Sequence, residues 1–333
     1  MNRIQMRGEM MNNLAVLTSG GDAPGMNAAI RAVVRTGYSR GVHTWGVMHG
    51  YSGLIEGEFK RLGSRDVSSI IQRGGTILGS ARCPQFKTAE GVELSIRRLR
   101  GAGIDGLVVI GGNGSQTGAN ELRKMGFPVV GVASTIDNDL YGSEVTIGVD
   151  TAVNVALNAI DNLKVTASSH QRVLLVEVMG RNCGFLALMA GVAGGAEAIV
   201  IPEVDLVPEQ LAERIQDAFE RGKPHAIVVV AEGARYNAEG LCRYFEEHGL
   251  LQGLEFRSTV LGYVQRGAAP TCRDRLLGTR LGGEAADRII AGESGILVGE
   301  KKDTIITTPL EEVVVGKKPL DPWFLKAADV LAQ

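Results

Sequence analysis

One repeated pattern limits the folds open to this chain more than any other feature. Short runs of apolar, largely β-branched residues are followed by glycines, and helical patterns lie between them. The runs are Leu14–Leu17, Leu107–Ile110, Val129–Val132, Val173–Val178, Ile199–Ile201 and Ile227–Val230. Continuous apolar runs of this length read as strands buried on both faces. Between them, Val153, Leu157, Ile160 and Leu163 share one helical face, as do Leu211, Ile215, Ala218 and Phe219, with Pro208 near that helix start. Strands alternating with helices predict an α/β architecture of doubly wound, mostly parallel sheets, whose ligands bind beyond the carboxyl ends of the strands.

The chain has 333 residues, enough for two domains of roughly 150 residues each. The strand-loop region gives way to a long helix near Ile147–Thr151 with no Ser/Pro-rich linker. This predicts two halves in close contact with a cleft between them. The formal net charge is -2, which speaks against a nucleic-acid partner, since phosphate binding draws on a basic surface. An anion site here has to be a local arginine cluster. The four cysteines, Cys83, Cys183, Cys242 and Cys272, form no CxxC, and the five histidines form neither HxxxH nor HExxH. A zinc ribbon or dithiol centre is not expected, and scattered thiols fit a reducing cytoplasm. No apolar run reaches membrane-span length, so no membrane partner is expected. Residues 1–13 lack the apolar core of a signal peptide and read as a short frayed extension.

Two glycine loops carry the first functional signal. Thr18-Ser19-Gly20-Gly21-Asp22-Ala23-Pro24-Gly25-Met26-Asn27 follows a strand and opens a helix. Glycines there let backbone amides approach an anion, and the helix start adds partial positive charge. The loop matches neither GxGxxG nor the Walker pattern. A tight turn with no ligand would show the same residues, so the loop alone leaves both readings open. Gly111-Gly112-Asn113-Gly114-Ser115 repeats the design and suits a second phosphate. Between the two loops lies Arg73-Gly74-Gly75-Thr76-Ile77-Leu78-Gly79-Ser80-Ala81-Arg82, in which Arg82 follows small residues that let the chain pass close to a ligand.

The third signal is acidic. Val129–Val132 runs into Ala133-Ser134-Thr135-Ile136-Asp137-Asn138-Asp139. Phosphoryl transfer to an alcohol needs a group that takes the hydroxyl proton and often a carboxylate near Mg²⁺, and Asp137 and Asp139 can divide these tasks. A plain turn would also use Asp and Asn. Arg172, Arg181, Glu232, Arg257 and Arg266 come further along; Arg181 and Glu232 each follow a predicted strand, and arginine suits phosphate because its planar fork donates two hydrogen bonds at once.

These segments together resemble the 6-phosphofructokinase family. The residues concerned are LTSGGDAPGMNAAIR (Leu17–Arg31), RGGTILGSAR (Arg73–Arg82), VVIGGNGS (Val108–Ser115), TIDND (Thr135–Asp139), SSHQR (Ser168–Arg172), VEVMGR (Val176–Arg181) and VLGYVQRG (Val260–Gly267), and the likeness runs from about Leu14 to Ala328. The resemblance implies two Rossmann-like α/β/α domains with the active site in the cleft between them. Residues 1–148 plus about 265–310 would hold the ATP site, and residues 149–264 plus about 311–333 the sugar-phosphate site. It implies transfer from ATP, with Mg²⁺, to the 1-hydroxyl of fructose 6-phosphate. Asp137 would be the general base, Thr135 and Asp139 would help hold the sugar and organise the metal, and Arg181 and Arg82 with the Gly21 amide would stabilise the transferring phosphoryl. Gly21, Arg82, Cys83, Gly112, Asn113, Gly114 and Ser115 would line the nucleotide site. Met179, Gly180, Arg181, Glu232, Tyr263 and Arg266 would bind the sugar phosphate, with Arg172 and Arg257 reaching in from a neighbouring subunit. A cytoplasmic homotetramer with shared sites is therefore expected. Arg31, Arg35, Lys164, Glu197, Arg221 and Lys223 match positions of an effector site.

The sequence departs from the family pattern at three places. Asn113 stands where ATP-using members carry an Asp that helps hold Mg²⁺. Tyr263 replaces a common His. Ser134 is not the Gly usual in ATP-using members; pyrophosphate-using members carry Lys there and Asp at the position of Gly114, and neither is present here, so ATP is the expected donor. Pyrophosphate as donor, another sugar phosphate as acceptor, and a non-catalytic sugar-phosphate-binding subunit are the alternatives. A nicotinamide-dependent oxidoreductase lacks its glycine fingerprint.

Overall fold

The computed structural model describes residues 11–170, 172–205 and 207–331. The N-terminal extension up to residue 10 and Gln171 of the SSHQR segment lie outside the described residues. In chain order the elements are β1 (Asn13–Thr18), α1 (Met26–Ser39), β2 (His43–Val47), α2 (Tyr51–Glu56), β3 (Phe59–Leu62), α3 (Ala89–Gly101), β4 (Gly106–Gly111), α4 (Asn113–Lys124) and β5 (Val129–Ala133). There follow α5 (Val149–His170), β6 (Arg172–Val178), α6 (Phe185–Ala193), β7 (Ala198–Val200), α7 (Pro208–Glu220), β8 (Ala226–Ala231), α8 (Ala238–Glu247), β9 (Glu255–Val260) and α9 (Val264–Gly267). The last elements are α10 (Cys272–Ile290), β10 (Ile296–Lys301), β11 (Thr304–Pro309), α11 (Leu310–Val315) and α12 (Pro322–Leu331).

The chain divides into two compact units. Unit 1 is Met1–Thr135, Leu140–Gly148 and Ala269–Lys317; unit 2 is Ile136–Asp139, Val149–Ala268 and Lys318–Gln333. Unit 1 holds a seven-stranded sheet in the order β11-β10-β5-β4-β1-β2-β3. Its interior pairs are parallel, while the β2–β3 and β10–β11 pairs at its edges are antiparallel. All six residues of β4 are buried, as are all five of β5, which is why both read as unbroken apolar runs. Register places Thr18 opposite Ile110 and Gly111 opposite Ala133. The exits of β1, β4 and β5 therefore lie side by side, and the two glycine loops become neighbours.

Unit 2 holds a four-stranded parallel sheet in the order β7-β8-β6-β9. Val173, Leu175, Val228 and Val230 from its strands pack with Leu211 and Ile215 of α7, Phe245 of α8 and Phe256 of β9. The stripe of α7 is thus spent on this core, and Pro208 occupies its first turn, where a missing N–H costs nothing. No helix among the described residues is long and apolar enough to cross a membrane.

Helices α1 and α10 pack against each other in unit 1. Their approach depends on glycine: a Cβ on Gly278 would lie 2.6 Å from the Gly25 carbonyl oxygen, and one on Gly282 would lie 2.5 Å from that of Ala29. Replacing Gly282 with Ala sets two effects against each other. Alanine favours an isolated helix by about 1 kcal/mol, whereas forcing a methyl into a filled contact costs about 1–3 kcal/mol. Because the clash is with backbone on a packed helix, the second effect should win. The Gly282→Ala chain should unfold at lower urea concentration than the wild type, and an equal or higher midpoint would contradict the close packing.

Candidate functional site

Unit 1 carries one cluster of predicted site residues. The Ser19 amide donates to the Ile110 carbonyl at 3.1 Å, which joins the first glycine loop to the end of β4. Gly112 caps α4, so Asn113, Gly114 and Ser115 form its first turn, with Asn113 and Gly114 exposed. Nothing lies within 4 Å of where a Cβ on Gly114 would be. Ser115 is buried and its Oγ finds no hydrogen-bond partner among the described residues. Such a buried hydroxyl needs an explanation, and a ligand oxygen beside the loop is one. Ser80 Oγ donates to the Gly20 carbonyl at 2.7 Å and brings the segment ending in Arg82 and Cys83 to the same loop. Arg82 is exposed, Cys83 is half-buried, and Gly21 is partly exposed. Thr135 closes this set: its carbonyl accepts from Thr146 Oγ1 at 2.6 Å. Ser134 is fully buried and turns its hydroxyl to the Ile147 carbonyl.

Unit 2 carries the other cluster. Asp137 is only 7% exposed. Burial, then the neighbouring Asp139, pushes its carboxyl up from 3.8 to about 6, while Arg266 and Arg181 pull it down and Glu232 adds to the rise. A buried carboxylate among two arginines and two acids is thus poised to change protonation near neutral pH. Glu232 does more than add charge. Its Oε1 accepts from the Arg181 amide at 2.9 Å and the Gly180 amide at 3.3 Å. This holds Arg181 in the left-handed region at φ 51, an uncommon conformation for a residue with a side chain. Gly233 is required beside it, because a Cβ there would lie 1.5 Å from the Arg181 carbonyl oxygen. Met179 is buried, and its amide donates to Gln265 Oε1 at 2.9 Å. The Arg266 Nε is buried with no partner among the described residues, and the guanidinium carbon lies 5.7 Å from the centre of the exposed Tyr263 ring.

The structure does not bring Arg172 and Arg257 to this cluster. Arg172 opens β6 and Arg257 lies near the start of β9, whereas Met179–Arg181 and Tyr263–Arg266 follow the far ends of those strands. At about 3.3 Å per residue, β6 separates Arg172 from Met179 by roughly 20 Å. Both arginines instead bond Glu255: Arg172 Nε at 2.5 Å, and Arg257 Nη2 on the other carboxylate oxygen.

Of the expected effector residues, Arg31 and Arg35 lie on α1 in unit 1, where burial and then Arg35 lower the Arg31 pKa. Glu197 is buried in unit 2, accepts from the Ile227 amide at 2.6 Å and pairs with Lys223 at 3.4 Å. Lys164 donates to the Gly194 carbonyl, and Arg221 is exposed. One contact escaped the sequence: Lys318 Nζ donates to Asn138 Oδ1 at 2.9 Å across 180 residues. No local pattern signals a lysine that far along the chain.

A phosphofructokinase family model matches residues 13–289. The chain is 52% identical over 324 residues to the ATP-dependent 6-phosphofructokinase 1 of Thermus thermophilus, covering 97% of this chain and 100% of that one. The structure of Pichia pastoris phosphofructokinase in the T-state aligns with a TM-score of 0.85 at 36% identity, over 92% of this chain; the chain spans 36% of the length of that one. A pyrophosphate-dependent phosphofructokinase from Marinobacter aquaeolei also gives 0.85, at 22% identity over 97% of this chain and 92% of its own. That last likeness shows the fold alone.

The protonation of Asp137 has a consequence for stability. Its folded value, about 6, lies above the ordinary 3.8, so the folded state holds this proton more tightly than the unfolded one. The stability due to that proton is fully present below 3.8 and is lost as pH rises through about 6. The rise corresponds to at most about 3 kcal/mol. Asp137→Asn carries no charge to desolvate, so it should exceed the wild type in stability at pH 8, with the gain shrinking as pH falls from 6 towards 4. Unfolding midpoints of both chains across that range test it, and a gain independent of pH would contradict the buried charge.

Proposed function

The chain belongs to the phosphofructokinase family, and on that premise we propose that it transfers the terminal phosphoryl group of ATP to the 1-hydroxyl of fructose 6-phosphate. The observation that carries this reading is the buried Asp137 carboxyl, raised to about 6 within reach of the charges of Arg181, Arg266 and Glu232. A base of that strength is largely ionised at neutral pH and still able to take a proton. In the reaction Asp137 accepts the proton of the 1-hydroxyl as its oxygen bonds to the γ-phosphorus, and the bond from that phosphorus to the bridging oxygen breaks to release ADP. Arg82, Arg181 and the Gly21 amide offset charge on the transferring group. The Arg266 Nε and the Ser115 Oγ, both without a hydrogen-bond partner among the described residues, are the groups that a sugar phosphate and a nucleotide phosphate would satisfy. Thr135 and Asp139 complete the set around the reacting hydroxyl, and Met179, Gly180, Glu232 and Tyr263 the sugar side. Unit 1 supplies the donor residues together with Thr135, and unit 2 the other acceptor residues.

ATP is favoured over pyrophosphate by two features of unit 1. Gly114 leaves open space where pyrophosphate-using members carry Asp, and the buried Ser134 hydroxyl is turned to backbone instead of offering a cation. Among the described residues no group of three or more His, Cys, Asp or Glu is placed to hold a metal ion. Mg²⁺ would accompany ATP as part of the substrate, held chiefly by phosphate oxygens, and Asn113 at the start of α4 and Asp139 are the residues that would help organise it.

The placement of Arg172 and Arg257, far along their strands from Arg181, supports a second subunit's site as their target. This is the basis for a homo-oligomer, by analogy a cytoplasmic tetramer. Arg31, Arg35, Lys164, Glu197, Arg221 and Lys223 would form its effector site.

A rate panel of ATP and pyrophosphate against several sugar phosphates tests the proposal directly. ATP with fructose 6-phosphate should give the highest kcat/KM, and Asp137→Ser should lower kcat by at least about 10²-fold; turnover with pyrophosphate alone would overturn the donor assignment. Asn113→Asp places a carboxylate where the helix start favours negative charge. It should lower the Mg²⁺ concentration giving half-maximal rate severalfold, and an unchanged Mg²⁺ titration would remove Asn113 from the site.

A further inference from the structure

The segment from Arg73 to Arg82 contains no helix or strand, so its amides and carbonyls lack a ladder of their own. It is nevertheless pinned at successive points within unit 1, and one side chain makes more of these contacts than any other. Asn27, the second residue of α1, is 1% exposed. Its Nδ2 donates to the Arg73 carbonyl at 3.1 Å and the Gly74 carbonyl at 3.3 Å, while its Oδ1 accepts from the Ile77 amide at 2.8 Å. Further along, the Thr18 hydroxyl donates to the Gly79 carbonyl at 3.0 Å and lies 2.8 Å from the Thr76 hydroxyl.

We propose that Asn27 is a positioning residue for the phosphoryl donor: it fixes the shape of the 73–82 segment and so the place at which Arg82 and Cys83 are presented. The proposal rests on the reading of ATP as donor. Asn27 is too buried to touch the nucleotide and acts through the segment. Only an amide suits the position, because the segment offers two acceptors and one donor to it. A carboxylate can serve the Ile77 amide but repels the two carbonyls, and an apolar side chain serves none of the three. Apart from Thr135, the residues assigned to the sugar lie in unit 2, so the effect should fall chiefly on the donor.

The test is Asn27→Asp in the full chain, nearly the same in shape. At pH 8 its KM for MgATP should rise at least about tenfold, the scale of a lost buried hydrogen bond, with the KM for fructose 6-phosphate nearly unchanged. The donor defect, taken as a ratio to wild type at each pH, should shrink towards pH 6.5, because a protonated carboxyl regains a donor for the carbonyls. Amide hydrogen exchange across residues 73–82 should be faster than in the wild type. An unchanged KM for MgATP, or equal changes in both KM values, would overturn the proposal. If Asn27→Asp does not fold, Thr76→Val removes a hold from the segment side and should show the same split, a smaller rise for MgATP alone; no split there would also overturn it. A wild type inactive with ATP would instead refute the functional reading, and exchange over 73–82 would then decide the hold of Asn27: no acceleration in the variant would end it.

Discussion

Burial of the parallel strands on both faces is the constraint on which the rest depends. Once β1, β4 and β5 are sealed above and below, polar chemistry can appear only where they end. Register makes them end together, with Thr18 beside Ile110 and Gly111 beside Ala133. Glycine-rich turns at those ends expose backbone amides next to the start of a helix, which is a setting for phosphate before any side chain is chosen. The same logic orders unit 2, where β6 and β8 are followed at once by Met179–Arg181 and Glu232.

The turns themselves have no regular hydrogen bonding, so side chains take over the work of a sheet. Glu232 serves two amides at the Gly180–Arg181 turn. Gln265, fully buried, accepts from the Met179 amide and donates to the Ala152 carbonyl at 3.3 Å. Both Arg181 and Asn138 sit at positive φ, 51 and 52, and each lies next to a group that carries charge in the proposed reaction. Left-handed backbone of this kind costs about 1 kcal/mol or more at a residue with a side chain. Neighbouring contacts offset it: the Glu232 carboxylate for Arg181 and the Lys318 ammonium for Asn138.

The sequence was informative where a single local rule decides the outcome. Interior strands β1, β4, β5, β6 and β8 read directly from their apolar runs, and α7 from its stripe and Pro208. Strands β2, β3, β9 and β11 did not stand out, because strands at or near a sheet edge need less continuous apolar sequence; β9, Glu255–Val260, is mostly polar. β10 lies inside its sheet but is broken by Gly299 and Glu300. Asp137, Arg181 and Glu232 were visible as charged residues just past predicted strands, whereas Arg266 was reached only through the family resemblance. Contacts such as Lys318 with Asn138 depend on the closed tertiary fold and leave no mark at either end. Nor does the fold reveal the donor, since a pyrophosphate-dependent phosphofructokinase shares it at 22% identity; on the proposed reading that choice rests on a few positions such as Gly114 and Ser134.

The division of the chain has a consequence for its history. The backbone passes from one unit to the other five times, after Thr135, Asp139, Gly148, Ala268 and Lys317. Neither half corresponds to an uninterrupted stretch of gene. A truncation that spared the glycine loops would discard the tetrapeptide carrying Asp137 from its proper partners, and no simple fusion or exon exchange could supply it again. The two halves can be inherited, duplicated or lost only as one.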